Sequence, residues 1–571
     1  METAKIQEID SNAAEDASPA AGSILGPNIF VGFDWNSLSA GLADFLSGLG
    51  DSPEKALARL PRFAADLLNI VLGRSEIAPD PADKRFTDTA WTENPLYRVM
   101  MQSYLAWRAA MLDLVHEQSP DGADWKSPAM KRFAVTLLTE ALAPTNSLLG
   151  NPAALKRAFE TGGMSLVKGA GNFIDDLLHN GGMPSQVDKR PFKVGGNIAA
   201  TPGTVVWRGE LCELIQYSPS TRQVYERPLL LVPPQINKYY IMDLAPKRSL
   251  TEYAVARGVQ FFSISWRNPG PELRTRGLDD YIGTIKEALG VISSITGSPD
   301  ANLLAVCAGG ITSSALLGHL AAAGEPLVNA ATLLVTMLDS SEPSMTGMFA
   351  SEEAVRAACM RSASKGVLDA GSIARLFAWL RPNDLVWHYW VNNYLMGKDP
   401  AAFDILYWNA DSTNLPAKLH ADFLDILLRN PLVKVDQLKV LGTPVNLRKV
   451  NADMYILAGQ TDHICAWQAC HRAARLFGGQ VEFVLNSSGH VQSLVCPPDN
   501  FKAKFMTNAR LGTDPEAWKD SATSHKGSWW EHWTEWLGKR SGEKRSAPEE
   551  PGNSRYRPLE SAPGSYVLQS P

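Results

Sequence analysis

The chain has 571 residues, of which 45% are hydrophobic and 20% charged, with a formal net charge of −6. That length exceeds one ordinary core, so a large domain plus an accessory region is expected. The charge gives no concentrated basic patch for nucleic acid, and the longest apolar runs, such as Leu229 to Val232, fall far short of the roughly 20 residues of a transmembrane helix.

Residues 1–25 and 541–571 are rich in Ser, Ala, Pro, Gly and charge, and read as disordered tails. The start carries more acid than base and no apolar run behind a basic segment, so no signal peptide is expected and the location is taken as cytoplasmic. Residues 26–200 read as a helical N-terminal domain, with Phe133, Leu137, Leu138 and Leu142 at helical spacing. Residues 201–540 then alternate short apolar runs with helical stretches. The runs are 228–232, 258–266, 302–306, 330–338, 453–458 and 480–485, and helices are predicted over 246–257 and 278–296. This alternation argues for an α/β fold with a parallel sheet covered on both faces. It breaks between about 340 and 440, a helical segment rich in Trp, Tyr and Asn that reads as an inserted lid. The six cysteines (212, 307, 359, 465, 470 and 496) are scattered in a long chain, so buried reduced thiols are expected rather than disulfides.

One cysteine has a distinctive context. The run Asn302-Leu303-Leu304-Ala305-Val306 ends in Cys307-Ala308-Gly309-Gly310, and a helical pattern follows from Ile311. That is the strand–turn–helix setting of a nucleophile elbow, with Cys where hydrolases usually have Ser. The turn needs small residues two positions either side, and Ala305 and Gly309 supply them. It also sets Cys307 near a helix N-terminus, which favours a thiolate. The alternative is a buried core cysteine beside a glycine turn. Two later turns weigh against that alternative. Asp462 follows the apolar run 453–458, and His490 follows 480–485. Nucleophile, acid, histidine is the chain order of the α/β-hydrolase triad, and each residue falls just past a predicted strand, where open parallel sheets build their sites.

With these residues in place, the sequence resembles the polyhydroxyalkanoate synthases, closest to the medium-chain-length (class II) type with class I features. The likeness runs over nearly the whole chain past the N-terminal tail. Its blocks are Val232 to Tyr240 (VPPQINKYY), Ser265 to Pro269 (SWRNP), Cys307 to Gly310, Arg381 to Leu385 (RPNDL), Phe403 to Asn409 (FDILYWN), Asp462-His463-Ile464, Ser488-Gly489-His490 and Ser528-Trp529-Trp530. Three positions depart from the family pattern: Ala305 for Gly, Ala466 for Pro and His388 for Asn. None removes a catalytic atom.

The resemblance implies an α/β-hydrolase fold with an inserted lid and a helical N-terminal region. It also implies (R)-3-hydroxyacyl-CoA substrates, a polyester product and release of coenzyme A, which is part of the substrate and not a cofactor. Cys307 is then the nucleophile and His490 the general base on its thiol, with Asp462 acting either on the 3-hydroxyl or through His490. The oxyanion hole takes the backbone N–H of Ala308 and, from the loop after the first core strand, that of Ile236. Arg381 and Lys238 are candidate contacts for CoA phosphates, each with a structural ion pair as its alternative. The aromatic segment Trp387 to Tyr394, with Tyr407 and Trp408, either excludes water from the acyl-enzyme or packs the lid's own core. Implied partners are the growing polyester chain, the granule surface, granule-associated proteins and a second copy in a homodimer.

Other signals carry less. Cys465, Cys470 and His471 match no zinc spacing, so no metal is expected and they read as packing residues. His463 is explained as well by a structural hydrogen bond as by chemistry. Trp529, Trp533 and Trp536 repeat at helical spacing and mark a buried helix face. Gly309 and Gly310 serve a turn, because the Lys-Ser/Thr pair of a phosphate loop is missing. Two competing readings remain: a cysteine thioesterase of the same fold, and a non-catalytic granule-coat protein.

Overall fold

The computed structural model describes residues 35–570 except 52, 82, 118–124, 342–350 and 372–381. Residues 1–25, read above as a tail, and Arg381 therefore lie outside the described residues.

Two compact units are present, one built from residues 33–188 and 375–401, the other mainly from 189–374 and 402–571. The first is helical: α1 (Trp35–Asp51), α2 (Pro53–Val71), α3 (Pro95–Glu117), α4 (Lys126–Ala141), α5 (Pro152–Glu160) and α6 (Met164–His179). Its core gathers Phe86, Trp91, Met101 and Tyr104 in one cluster and Phe45, Leu114, Val115 and Val135 in another. The helical spacing of Phe133, Leu138 and Leu142 does not make one buried face. Phe133 is buried, whereas Leu138 and Leu142 are exposed.

The aromatic segment divides between the units. Trp390 and Tyr394 pack edge-on against Phe173 of α6, the Tyr394 hydroxyl donates to Asp176 at 2.8 Å, and the Trp390 indole donates to the carbonyl of Asn146. Trp408, in the other unit, is buried and donates to the Lys238 carbonyl at 2.7 Å. Tyr394 and Trp408 are buried within their own units and Trp390 is partly so, which favours the packing alternative for them.

The second unit is organised by an 11-stranded sheet. In chain order its strands are β1 (Gly203–Arg208), β2 (Cys212–Tyr217), β3 (Leu229–Val232), β4 (Phe261–Trp266), β5 (Ala301–Val306), β6 (Val328–Leu334), β7 (Asp453–Gly459), β8 (Val481–Asn486), β9 (Lys504–Thr507), β10 (Thr523–Lys526) and β11 (Glu560–Ser561). Their spatial order is β10-β9-β8-β7-β6-β5-β3-β4-β2-β1-β11. The six strands from β8 to β4 run parallel, and those outside them are antiparallel. Strands β3 and β5 are buried at every position, as befits a parallel sheet with both faces covered. The predicted apolar runs thus fall on β3 to β8. The flanking antiparallel strands had no such signature, because β1 and β2 mix polar with apolar residues and β9 to β11 are short and mostly polar.

Helices α7 (Leu250–Val255), α8 (Leu278–Thr296) and α9 (Ala308–Ala323) connect the parallel strands. The predicted insertion lies between β6 and β7. Its described part holds α10 (Glu352–Lys365) and α11 (Ala417–Arg429), with residues 375–401 belonging to the helical unit. After β7 and β8 come two short helices, α12 (Trp467–Ala474) and α13 (His490–Leu494), and then α14 (Trp529–Gly538).

Residues 541–570 do not behave as the tail expected from their composition. Lys544–Ser546 pairs with Gln223–Tyr225, and β11 pairs with β1. Buried Glu213 accepts hydrogen bonds from the backbone N–H groups of Ser565 and Tyr566. A segment poor in apolar residues is ordered here because its backbone groups find partners on a sheet edge and on a buried carboxylate.

Candidate active site

The turn after β5 is shaped by backbone contact. Cys307 sits at φ 50°, ψ −118°, a conformation that non-glycine residues adopt only under constraint. Its N–H donates to the Leu334 carbonyl at 3.0 Å, fixing the turn to β6. Gly309 makes that turn possible, since a Cβ there would lie 2.5 Å from the Val232 carbonyl oxygen and 2.7 Å from that of Pro233. The start of α9 is thereby pressed against the loop that leaves β3. That loop carries Ile236, which is buried, and its carbonyl accepts from Thr413 N–H at 3.2 Å. Ala308 is the first residue of α9.

A second close approach joins the turns after β7 and β8. At Gly459 a Cβ would meet the Ser488 carbonyl oxygen at 2.7 Å and Ser493 Oγ at 2.9 Å. This proximity brings Asp462 onto His490: Nδ1 of His490 donates to Asp462 Oδ2 at 2.7 Å, with both side chains buried. The other carboxylate oxygen, Oδ1, accepts the backbone N–H groups of Ile464 (2.8 Å) and Cys465 (3.0 Å). His490 Nε2 is buried and has no hydrogen-bond partner among the described residues, while the Cys307 sulfur acts on the ring electrostatically.

The helix bearing His490 is held from behind. Ser528 caps α14, and the indoles of Trp529 and Trp530 donate to the carbonyls of Ser493 (2.7 Å) and Leu494 (3.3 Å). They satisfy two of the carbonyls that a short helix leaves open at its C-terminal end. Trp533 donates to Thr332 on β6. The tryptophan repeat is a buried face, as its spacing implied, and two of its indoles serve the His490 turn.

The electrostatics favour an ion pair. A hydrogen bond from the Cys465 thiol leads in pulling the Cys307 thiol down to about 5; burial opposes, and the positive charge of His490 assists. His490 rises to about 10. Burial works against this rise, but the Asp462 carboxylate and the Cys307 sulfur together outweigh it. At neutral pH the site therefore rests as Cys307 thiolate and His490 imidazolium.

Sequence reasoning placed Cys465, Cys470 and His471 as packing residues. The last two fit that description: Cys470 donates to the Thr336 carbonyl at 3.3 Å, and His471 Nε2 meets the Leu511 carbonyl at 2.7 Å. Cys465 is buried too, and its thiol lies within 4.8 Å of the Asp462 and His490 donor atoms. The signal available for its nearness to Asp462 was the offset of three between them, the span a carboxylate bridges to cap a following turn. Donor atoms of Asp462, Cys465 and His490 lie within 4.8 Å of one another, close enough for a metal. Both Asp462 oxygens are already engaged, and the Cys465 thiol is held protonated, so the trio reads as a hydrogen-bonded chain.

Lys238 requires a correction. Its side chain is buried, with Nζ donating to the carbonyls of Val567 and Gln569 at 2.6 Å each and Asp411 at 3.8 Å. Burial lowers its affinity for a proton. An ammonium used to tie down the C-terminal segment is not displayed to a phosphate, so the structural alternative for Lys238 replaces the CoA contact.

A cysteine elbow on a central parallel strand, with an acid and a histidine on the turns after β7 and β8, is the working arrangement of an α/β-hydrolase-fold enzyme. Residues 229–495 match the family described as the alpha/beta hydrolase fold. Residues 82–254 match the family described as the N-terminus of poly-beta-hydroxybutyrate polymerase (PhaC). Poly(3-hydroxyalkanoate) polymerase 1 of Ectopseudomonas oleovorans is 48% identical over 98% of this chain and 99% of its own. Polymerase 2 of the same organism is 50% identical over 89% and 90%, and the polymerase subunit PhaC of Cupriavidus necator is 40% identical over 87% and 84%. The chain belongs to the poly(3-hydroxyalkanoate) polymerases, acyltransferases that polymerise hydroxyalkanoate. No helix among its described residues is long and apolar enough to cross a membrane.

Proposed function

We propose that this polymerase draws (R)-3-hydroxyacyl groups from coenzyme A thioesters and carries them on Cys307. The observation that carries the reading is the buried Cys307–His490–Asp462 chain on a constrained elbow. The Cys307 thiolate attacks the thioester carbonyl. As the carbonyl re-forms, the coenzyme A sulfur departs and takes the proton of the His490 imidazolium, leaving free coenzyme A, acyl-Cys307 and neutral His490. His490 Nε2 then removes the proton from the 3-hydroxyl of a second hydroxyacyl group. Its oxygen attacks the acyl-Cys307 carbonyl, an ester bond forms, and the Cys307 thiolate returns opposite a reprotonated His490. The backbone N–H groups of Ala308 and Ile236 would hold the oxyanion in both halves, a role supported by the contact of the elbow with the 232–233 backbone. With both its oxygens engaged, Asp462 acts through His490 rather than on the hydroxyl.

This differs from the expectation that His490 withdraws a proton from a neutral Cys307 thiol. With the thiol lowered and the imidazole raised, that transfer is complete before substrate arrives.

Contact with a polyester granule is proposed for the helical unit. Leu57, Leu60, Leu68 and Val71 of α2 and Val167, Ile174, Leu177 and Leu178 of α6 are all exposed, an apolar display that a water-facing surface does not need. The resemblance of the sequence to the medium-chain-length type favours medium-chain thioesters. Purified protein given (R)-3-hydroxybutyryl-CoA or (R)-3-hydroxydecanoyl-CoA, with Cys307→Ala as control, tests all of this by coenzyme A release and polyester yield. Polymer that requires Cys307 supports the reading, and the preferred thioester sets the chain-length class. Soluble hydroxy acid alone would make the protein a thioesterase.

A further inference from the structure

We propose that Thr413 is a positioning residue for the oxyanion hole: its hydroxyl, hydrogen-bonded to the Gln235 carbonyl, fixes the peptide that carries the Ile236 N–H. The inference rests on the reading of Cys307 as the acyl carrier and of Ile236 as a donor to the oxyanion.

A trans peptide unit is planar, with its carbonyl and its N–H pointing in opposite directions. The peptide between Gln235 and Ile236 is trans, so whatever holds the Gln235 oxygen also aims the Ile236 N–H. Thr413 Oγ1 donates to that oxygen at 2.9 Å, and the Thr413 N–H donates to the Ile236 carbonyl at 3.2 Å. One residue thus takes the carbonyls on both sides of Ile236.

Thr413 is itself fixed. It is buried, Ser412 beside it is bridged to Asn237, and the Asn414 N–H donates to Asn268 Oδ1 at 2.9 Å. The Gln235 side chain extends the same arrangement to the nucleophile helix. Its amide donates to Thr312 Oγ1 at 3.1 Å, and that hydroxyl donates to the Ala308 carbonyl at 3.2 Å. Gln235 therefore joins Thr413 to the first turn of α9, where Ala308 supplies the other oxyanion donor. Thr413 belongs to the insertion between β6 and β7, so a segment outside the sheet would set the oxyanion hole without touching substrate.

Without the hydroxyl, the buried Gln235 carbonyl loses its partner and the peptide is free to turn toward another. An oxyanion forms both when Cys307 attacks the thioester and when the 3-hydroxyl attacks acyl-Cys307, so both halves of the cycle should slow. Alkylation of Cys307 by iodoacetamide forms no oxyanion. It displaces iodide from a saturated carbon and should not respond.

The test compares these two reactions in the full chain: first-turnover coenzyme A release from (R)-3-hydroxydecanoyl-CoA, and iodoacetamide alkylation read by mass spectrometry on the Cys307 peptide. Thr413→Val and Thr413→Ala both lack the hydroxyl. Thr413→Ser keeps the hydroxyl and lacks only the methyl that Thr413→Ala also lacks. Release should fall about 10–100-fold in the two hydroxyl-free variants, part of the roughly 10²–10³ that deleting an oxyanion donor costs. Their alkylation rates should stay parental, and Thr413→Ser should match the parent in both reactions. Parental release in Thr413→Val and Thr413→Ala overturns the role of Thr413. Equal losses in Thr413→Ser and Thr413→Ala do the same, because only the methyl would then matter. So does alkylation that falls in step with release, because the damage would then lie in the nucleophile or the fold. If parent protein alkylated at Cys307 still releases coenzyme A at the unmodified rate, the reading of Cys307 fails and the inference falls with it.

Discussion

Replacing Gly309 by Ala tests whether the elbow is pressed against the loop after β3 for catalytic reasons. The added Cβ would lie 2.5 Å from the Val232 oxygen and 2.7 Å from the Pro233 oxygen. Both obstacles are backbone, so no rotamer change relieves them. Restoring an ordinary contact of 3.4 Å takes about 0.9 Å of movement between the start of α9 and the β3 loop. Overpacking of this kind costs about 1–3 kcal/mol of stability, which a domain of this size tolerates. A misplacement near 1 Å between reacting groups costs on the order of 100-fold in rate, or about 2.7 kcal/mol of barrier. The variant should therefore fold, with a modestly lower Tm, and lose about 100-fold in kcat for coenzyme A release. Gly290→Ala is the control. It sits in α8 with no neighbouring atom within 4 Å of the new Cβ, so activity should persist and stability rise by up to about 1 kcal/mol. Parental kcat in Gly309→Ala would refute the close approach as a catalytic requirement.

Three further outcomes follow from the same geometry. Asp462→Asn removes the charge that sustains the His490 imidazolium and should lower coenzyme A release by about 10⁴-fold, as for triads generally, with near-native circular dichroism; a loss under tenfold would contradict its part. The pH profile should be flat from about 6 to 9, because Cys307 is a thiolate above about 5 and His490 keeps its proton below about 10. Activity should fall as pH drops through about 5 and Cys307 takes up a proton, and a midpoint near 7 would contradict the resting ion pair. Trp529→Phe leaves the Ser493 carbonyl unpaired in the core, so thermal unfolding should show a loss of about 1–3 kcal/mol.

The parallel core was legible because buried parallel strands must be nearly all apolar, and β3, β5 and β7 have little else. The elbow was legible for a similar reason: a tight turn from strand to helix admits few residue types, and Ala305, Cys307 and Gly309 state it locally. Long-range pairing had no such local signature. Lys238 resembled an exposed cation until its ammonium was seen on the carbonyls of Val567 and Gln569, more than 300 residues away. The segment after residue 540 was misjudged from composition, since its order comes from the edge of β1 and from buried Glu213. The nearness of Cys465 to His490 had no local sign, because the two lie on different strand turns. Only the sheet order, with β8 beside β7, brings the two side chains together.

The central claim is that Cys307 carries the acyl group. Brief exposure of the protein to (R)-3-hydroxydecanoyl-CoA, acid quench and peptide mass spectrometry measure it directly. The account predicts a hydroxyacyl mass increment on the peptide holding Cys307, formed together with coenzyme A and absent in Cys307→Ala. Coenzyme A release with no adduct on that peptide, or with the adduct on Cys465, would contradict it.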